Sequence, residues 1–331
     1  MSQPNASQTI QVDTSDDDTI CDEESVLESS QSFASSVRDY LYENGRRYHA
    51  YRQGKYPLPN DEREQDRLDL VHYLWKELVN GDLYRAPISP SNTHRILDFG
   101  TGTGNWAFEM AEAFPHAEIV GTDLSPIQPV WCPPNCRFFI DDVESEWTYL
   151  PHEAFDYIHG RVMAGSISDW DRLLSQIYDH LKPGGWVELQ EYECSVWSDD
   201  GTHQRVEAFH EWARKVNDAS IQFGKPVNVA DVLPQKIRDA GFVDVTDDVY
   251  KCPIGSWPKD PRLKQIGRIH LYSVLEAIEP YTLAFFTRVL GYTYEEAQAD
   301  MGKVRKDILD SSNHLYSRFH FIYARKTLHE T

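Results

Sequence analysis

The apolar run Arg95, Ile96, Leu97, Asp98 and Phe99 leads without a break into Gly100-Thr101-Gly102-Thr103-Gly104, and an apolar stretch from Trp106 to Phe114 follows. This strand, glycine turn and helix constrains the chain more than any other feature. Glycine lacks a Cβ, so the backbone can reverse within a few residues and come close to a ligand. In a doubly wound sheet such a turn lies at the carboxyl edge of the strands, where ligands bind.

The rest of the chain keeps the same rhythm. Residues 118–123 read as a second short strand ending at Asp123, and 137–140 as a third ending at Asp141 and Asp142. Residues 155–159 form a fourth, 173–181 a helix stopped by Pro183-Gly184-Gly185, and 186–190 a fifth strand. Alternating strands and helices imply right-handed crossovers and a parallel sheet. After Tyr192 the order changes. Residues 202–222 and 230–240 read as helices, 242–249 as a strand, 260–312 as mainly helical and 318–324 as a closing strand. The predicted fold class is α/β, a Rossmann-like seven-stranded doubly wound sheet, with helical insertions at about 202–225 and 260–312 near the mouth of the site.

Ahead of the sheet, Val37, Leu41, Leu68, Val71, Leu74, Trp75 and Leu78 recur at helical spacing. Residues 37–92 are therefore predicted to form a helical lid, with Asn60 or Asp61 capping a helix whose first turn holds Glu62 and Glu64. Tyr42, Arg47 and Tyr48 fall on this segment, placed to close over a ligand. Residues 1–36 are acidic and polar, with Asp16, Asp17 and Asp18 in succession. They are predicted to be a disordered leader, having too little apolar surface to offset chain entropy.

Charge narrows the choice of partners. The formal net charge is −21, which repels phosphate backbones and anionic lipid, so neither nucleic acid nor a membrane is an expected partner. Five scattered cysteines read as free thiols, and Cys132 and Cys136 lack a second pair at metal-binding spacing, so no metal is expected. With no apolar run of membrane-spanning length and no secretory signal, an intracellular, cytoplasmic location is expected.

The glycine turn alone admits two ligand classes. Gly102-x-Gly104-x-x-Ala107 also fits a nicotinamide dinucleotide site, with Asp123 placed to hold ribose. Three features favour S-adenosylmethionine (SAM): Asp98 directly before the turn, the acids Asp141 and Asp142 at the third strand tip, and Leu181-Lys182-Pro183-Gly184-Gly185-Trp186-Val187 before the fifth strand. This ordered set, over roughly residues 93–191, resembles the class I SAM-dependent methyltransferases. The resemblance implies that Gly100, Gly102 and Gly104, with Thr101, hold the methionine part. It implies that Asp123, beside Leu124, holds the ribose, and that Asp142, with Asp141 as the alternative and Val143 alongside, approaches adenine. Asp98 would orient the loop or meet the methionine amino group. From the residues alone, Arg161 after Gly160 is placed to meet a carboxylate of SAM or substrate, with a surface ion pair as the alternative. Tyr48 is placed to close over the cofactor, with core packing as the alternative.

A closer resemblance covers nearly the whole folded chain. Glu43-Asn44-Gly45-Arg46-Arg47-Tyr48-His49, Asp61 through Asp69, Asp123-Leu124-Ser125-Pro126-Ile127-Gln128-Pro129 and Trp147 are similar to the fungal LaeA-like methyltransferases, which include regulators of secondary metabolism and pathway enzymes. The regulators carry Cys where Thr101 stands. Two functions stay open at this point. One is methyl transfer to a small molecule in fungal secondary metabolism. The other is a regulator acting in a nuclear complex with velvet-type partners, methylating a protein or itself. A closed aromatic cavity would favour the first and an open groove the second. His159 and Glu191 are the candidates for a general base, with a solvated rim position the competing reading of Glu191. Tyr272, Tyr281, Phe285 and Phe286 are expected either to shape the acceptor pocket or to hold helices together.

Overall fold

The structure, a computed structural model, describes residues 9–13, 41–43, 45–48 and 57–328. The first paired elements are β1 (Leu41–Glu43) and β2 (Arg46–Tyr48), an antiparallel hairpin with Glu43 opposite Arg46. This corrects the helix expected over this stretch. Asn44-Gly45 between two short strands is a two-residue hairpin signal, and Gly45 has φ +76°, which outweighs the helical spacing of Val37 and Leu41. The helix begins only at α1 (Glu62–Leu78), capped by the Asp61 side chain, which accepts from Glu64 N–H at 3.0 Å. Arg46 grips the same Asp61 at 2.5 Å, so the hairpin is tied to the start of α1.

Most of the acidic leader lies outside the described residues, but residues 9–13 are docked. Ile10 is buried against Trp75, Leu78 and Trp257, and Val12 bridges to Pro258. The expected disorder of 1–36 is corrected at residues 9–13, where the Ile10 side chain joins a buried apolar cluster.

The sheet contains β3 (Arg95–Phe99), β4 (Glu118–Asp123), β5 (Cys136–Ile140), β6 (Phe155–Arg161), β7 (Leu181–Tyr192), β8 (Val243–Pro253) and β9 (Tyr316–Arg325), in the order β5-β4-β3-β6-β7-β9-β8. All neighbours are parallel except β9, which is antiparallel to both β7 and β8. This is the seven-stranded α/β sheet expected from the sequence. The chain winds from β3 outward through β4 to β5, then returns to β6 on the other side of β3. Neighbouring connections therefore diverge at the β3/β6 edge and leave a crevice there. Register sets Asp98 beside His159 across that edge.

Successive strand residues face opposite sides. Ile96, Ile119 and Tyr157 pack on α2 (Asn105–Ala113) through Trp106 and Met110. Leu97, Phe99, Ile158 and Leu189 pack on α3 (Trp170–His180) and α5 (Leu233–Asp239) through Leu174, Ile177 and Ile237. The insertions supply α4 (Glu207–Phe223), α6 (Pro261–Thr282) and α7 (Tyr294–Leu309), joined through a core of Trp212, Val216, Phe285, Phe286, Met301 and Val304.

Helix α6 lies unusually close to the end of β8. Gly255 N–H donates to Gly267 O at 2.9 Å, and a Cβ at Gly267 would overlap the Gly255 carbonyl oxygen. The clash is with backbone, which cannot swing aside. Gly267→Ala is expected to destabilise the protein by about 1–3 kcal/mol, read as a lower urea midpoint with unchanged slope.

Candidate functional site

The carboxyl tips of β3, β4, β5 and β6 converge on one cleft lined by Gly100, Gly102, Asp123, Leu124, Asp141, Asp142, Val143 and Arg161. The order expected from the sequence is thus gathered in space. Asp123 closes the glycine turn: Gly102 N–H donates to Oδ2 at 2.9 Å and Ser125 N–H to Oδ1 at 2.8 Å. Burial pushes its pKa up to about 6, while these N–H groups oppose the shift. Asp142 is buried at the cleft end and accepts from Glu144 N–H at 3.0 Å, whereas Asp141 is exposed. Beyond them Lys225 pairs with Glu144 at 2.7 Å, an ion pair in the cleft wall that the sequence reading missed.

The other end of the crevice is lined by Asp98, Thr101, His72, His159 and Arg161. Asp98 accepts from Thr101 Oγ1 at 2.5 Å and from His159 Nδ1 at 2.8 Å, and the His159 ring stacks on Trp106 at 3.8 Å. Desolvation lowers the Arg161 pKa to about 10. Its Nη2 donates to His72 Nδ1 at 2.9 Å, and no ion pair to a carboxylate forms among the described residues. Burial and the neighbouring guanidinium lower the His72 pKa to about 4, so the ring is neutral and passes its Nε2–H to Glu109 at 3.0 Å. A guanidinium set in the wall without a carboxylate partner suits a ligand carboxylate, and the spare lone pairs of Asp98 suit an ammonium. Both groups occur in the methionine portion of SAM, and the cleft beside it is lined by Asp123, Asp141 and Asp142, carboxylates that suit hydroxyl and amino donors. The residues present fit the cofactor.

A separate apolar chamber shares Arg67, Val162, Ala164 and Tyr281 with the cleft. Its walls include Val71, Leu74 and Trp75 of α1, Phe209 and Trp212 of α4, and Ile254 and Phe319 at the sheet end. Arg67 is paired in the wall with Glu64 through Nη2 at 2.6 Å, and Arg46 approaches the same carboxylate at 3.9 Å. Tyr192 and Tyr281 meet hydroxyl to hydroxyl at 3.1 Å. Glu64 was expected only as a first-turn acid of the helix, and its pairing with Arg67 was not anticipated, although i, i+3 spacing on a helix is a pairing signal.

Val162, at the junction of all three cavities, has φ +55°, an unfavourable conformation for a β-branched residue. The turn is held by Val162 N–H to Gln190 O at 2.9 Å and by Glu191, whose Oε1 accepts Met163 N–H at 2.6 Å and Ala164 N–H at 3.2 Å. Glu191 is completely buried rather than on a solvated rim, and burial pushes its pKa up to about 8.

Several expected positions differ. Neither His159 nor Glu191 lines the apolar chamber, and both are engaged in holding neighbouring backbone or side chains, so the geometry gives neither a base role toward an acceptor there. Tyr48 lies outside the cleft, on β2, buried with Arg288 stacked 4.3 Å from its ring centroid. Arg47, also on β2, pairs with Glu62 at 2.7 Å. The Tyr42 side chain lies outside what the structure describes. Gly104 does not line the cleft. With φ +86° it turns the chain into α2. Of the insertion aromatics, Tyr281 reaches the chamber, Phe285 and Phe286 join the helices, and Tyr272 is exposed.

The family described as "Methyltransferase domain" matches residues 55–246, more than half of the chain. "Methyltransferase pytC" of Aspergillus terreus is 45% identical over 299 residues, covering 90% of this chain and 91% of its own. "Secondary metabolism regulator LAE1" of Cochliobolus heterostrophus is 38% identical over 290 residues, covering 86% and 94%. "Secondary metabolism regulator laeA" of Aspergillus fumigatus is 37% identical over 290 residues, covering 86% and 76%. These matches select methyl transfer over dinucleotide chemistry for the glycine turn. The chain belongs to the SAM-dependent methyltransferases, in the LaeA-like group.

Proposed function

We propose that the enzyme methylates a small, largely apolar acceptor in fungal secondary metabolism. The observation that carries this reading is the apolar, aromatic-walled chamber that borders the cofactor cleft, the two sharing Arg67, Val162, Ala164 and Tyr281 in their walls. Its walls on α1, α4 and α6 suit a small molecule rather than a peptide in a groove. Asp123 and Asp142 would hold ribose and adenine, Arg161 and Asp98 the methionine carboxylate and ammonium.

SAM, when bound, supplies a methyl group already activated as a sulfonium substituent. The protein's part is to align the acceptor and exclude water, and such positioning is worth up to roughly 7–11 kcal/mol. At the junction Arg67, Tyr192 and Tyr281 offer a guanidinium and two phenols in place of a carboxylate base. Glu193, farther along the wall, is occupied by Trp197 Nε1–H at 2.6 Å, and its hydrogen bonds outweigh burial to keep its pKa low. That set favours an acceptor oxygen acidic enough to arrive ionised, which Arg67 stabilises.

The likeness to the LAE1 and laeA regulators supports a second reading, action on a protein in a nuclear complex with velvet-type partners. One assay separates them. Radiolabelled SAM is supplied with a fungal metabolite extract, and in parallel with purified proteins including the enzyme itself. Label extracted with small organic molecules is the expected result. Label confined to protein would overturn the small-molecule reading.

A further inference from the structure

The chamber runs along two packed helices. On α1 it is lined from Arg67 through Val71 and Leu74 to Trp75, and on α6 from Tyr281 through Ala277, Val274 and Ser273 to His270. At 1.5 Å per residue these spans are about 12 Å and about 16 Å. Arg67 and Tyr281 mark the cofactor end. Trp75 and His270 mark the far end, where both rings pack on Phe319, at 4.5 Å and 5.3 Å between centroids. The chamber is therefore elongated, with polar groups at both ends and mainly apolar walls between, broken by Glu193 and the small hydroxyls of Ser195, Ser273 and Ser317.

His270 is 4% exposed. Its Nδ1 faces the carbonyl oxygens of Pro253 at 2.9 Å and Cys252 at 3.2 Å. Both only accept, so Nδ1 carries the hydrogen and Nε2 carries the lone pair. Burial lowers the ring's pKa to about 4, so the imidazole is neutral at pH 7. No described residue bonds to Nε2, and it is not among the buried side-chain atoms closed off from contact. A buried acceptor in an apolar wall calls for a donor from whatever fills the space.

We propose that His270 is a specificity-determining residue: its Nε2 accepts a hydrogen bond from a hydroxyl or N–H at the far end of an elongated, otherwise apolar acceptor whose methylated group lies beside Arg67 and Tyr281. This rests on the chamber being the acceptor site. Both ends of the acceptor are then read, one by a cation and phenols, the other by a fixed imidazole lone pair.

The test uses two rod-shaped probes, 4,4′-dihydroxystilbene and 4-hydroxystilbene, titrated into the full chain saturated with S-adenosylhomocysteine. Wild type is expected to bind the diol about 5- to 10-fold more tightly, beyond the twofold statistical factor of a symmetric molecule. In His270→Phe the two probes should agree within that factor, with S-adenosylhomocysteine affinity unchanged. The wild-type comparison needs no variant, so it stands even if the substitution harms folding. Equal affinities in wild type, a preference that survives in His270→Phe, or failure of both probes to bind would each overturn the inference. Failure of the wild-type chain to bind S-adenosylhomocysteine would instead overturn the reading of the cleft itself.

Discussion

Asp123→Ala is expected to weaken SAM binding by at least about 100-fold while leaving a cooperatively folded protein. The carboxylate is the one acid at the β4 tip, lines the cleft beside the glycine turn, and in the proposed site would accept from both ribose hydroxyls. A hydrogen bond to a charged group contributes about 1.5–3 kcal/mol, so losing two corresponds to roughly 100- to 10,000-fold in affinity. The alanine also releases Gly102 N–H and Ser125 N–H, which loosens the turn. The fold survives because the β3/β4 register runs over five residue pairs and does not involve this side chain. Titration calorimetry and circular dichroism read the two quantities separately. Affinity within threefold of wild type would refute the assignment. Acidity gives a second readout. With its pKa raised to about 6, Asp123 loses its charge as pH falls through that value. Wild-type affinity should therefore decline below about pH 6, and Asp123→Asn should flatten that decline.

The sequence made the central sheet legible because both of its signals are local. Apolar runs of strand length alternate with helical stretches, and glycines mark where β3 turns into α2, so topology follows from general handedness rules. The acids lining the crevice were legible for the same reason: each lies within two residues of a strand's carboxyl end, and the strand order brings Asp98, Asp123 and Asp142 to one edge. What escaped was set by contacts between distant segments. Val37 and Leu41 suggested a helix, but Asn44-Gly45 and the Arg46 to Asp61 ion pair fix a hairpin instead. His270 stood in an apolar helix with nothing nearby in sequence to mark it. Its role depends on Cys252 and Pro253 carbonyls from β8. Glu191 was misread for a related reason. A strand-end acid looks solvated until the turn at Val162–Ala164 folds over it.

Replacing Glu191 should separate its two effects, on stability and on rate. In the native state the carboxyl is buried with a pKa of about 8, against an ordinary value of 4.5. Between those values the folded protein holds a proton that the unfolded chain has released. The sign follows: stability contributed by this site is complete below about pH 4.5 and is lost as pH rises toward 8, with a slope of up to roughly 1.4 kcal/mol per pH unit. His320, whose pKa is raised to about 9 by Asp247 and Glu193, acts with the same sign at higher pH, so the difference between wild type and variant is the relevant quantity. Glu191→Gln keeps an oxygen for Met163 and Ala164 N–H but cannot titrate. Relative to wild type its stability should therefore improve as pH rises from 5 to 8, measured by urea unfolding at each pH. Glu191→Leu removes the acceptor, leaves the buried Met163 N–H and the half-buried Ala164 N–H unpaired, and should cost about 2–5 kcal/mol. It also frees the strained Val162 turn that lies between cofactor cleft and chamber. A displacement of about 1 Å there is enough to lower kcat roughly 100-fold. Glu191→Gln should keep most of that rate, because what the transfer needs from this position is a hydrogen-bond acceptor that fixes the turn. Equal loss of kcat in Gln and Leu variants would instead assign Glu191 a proton-transfer role.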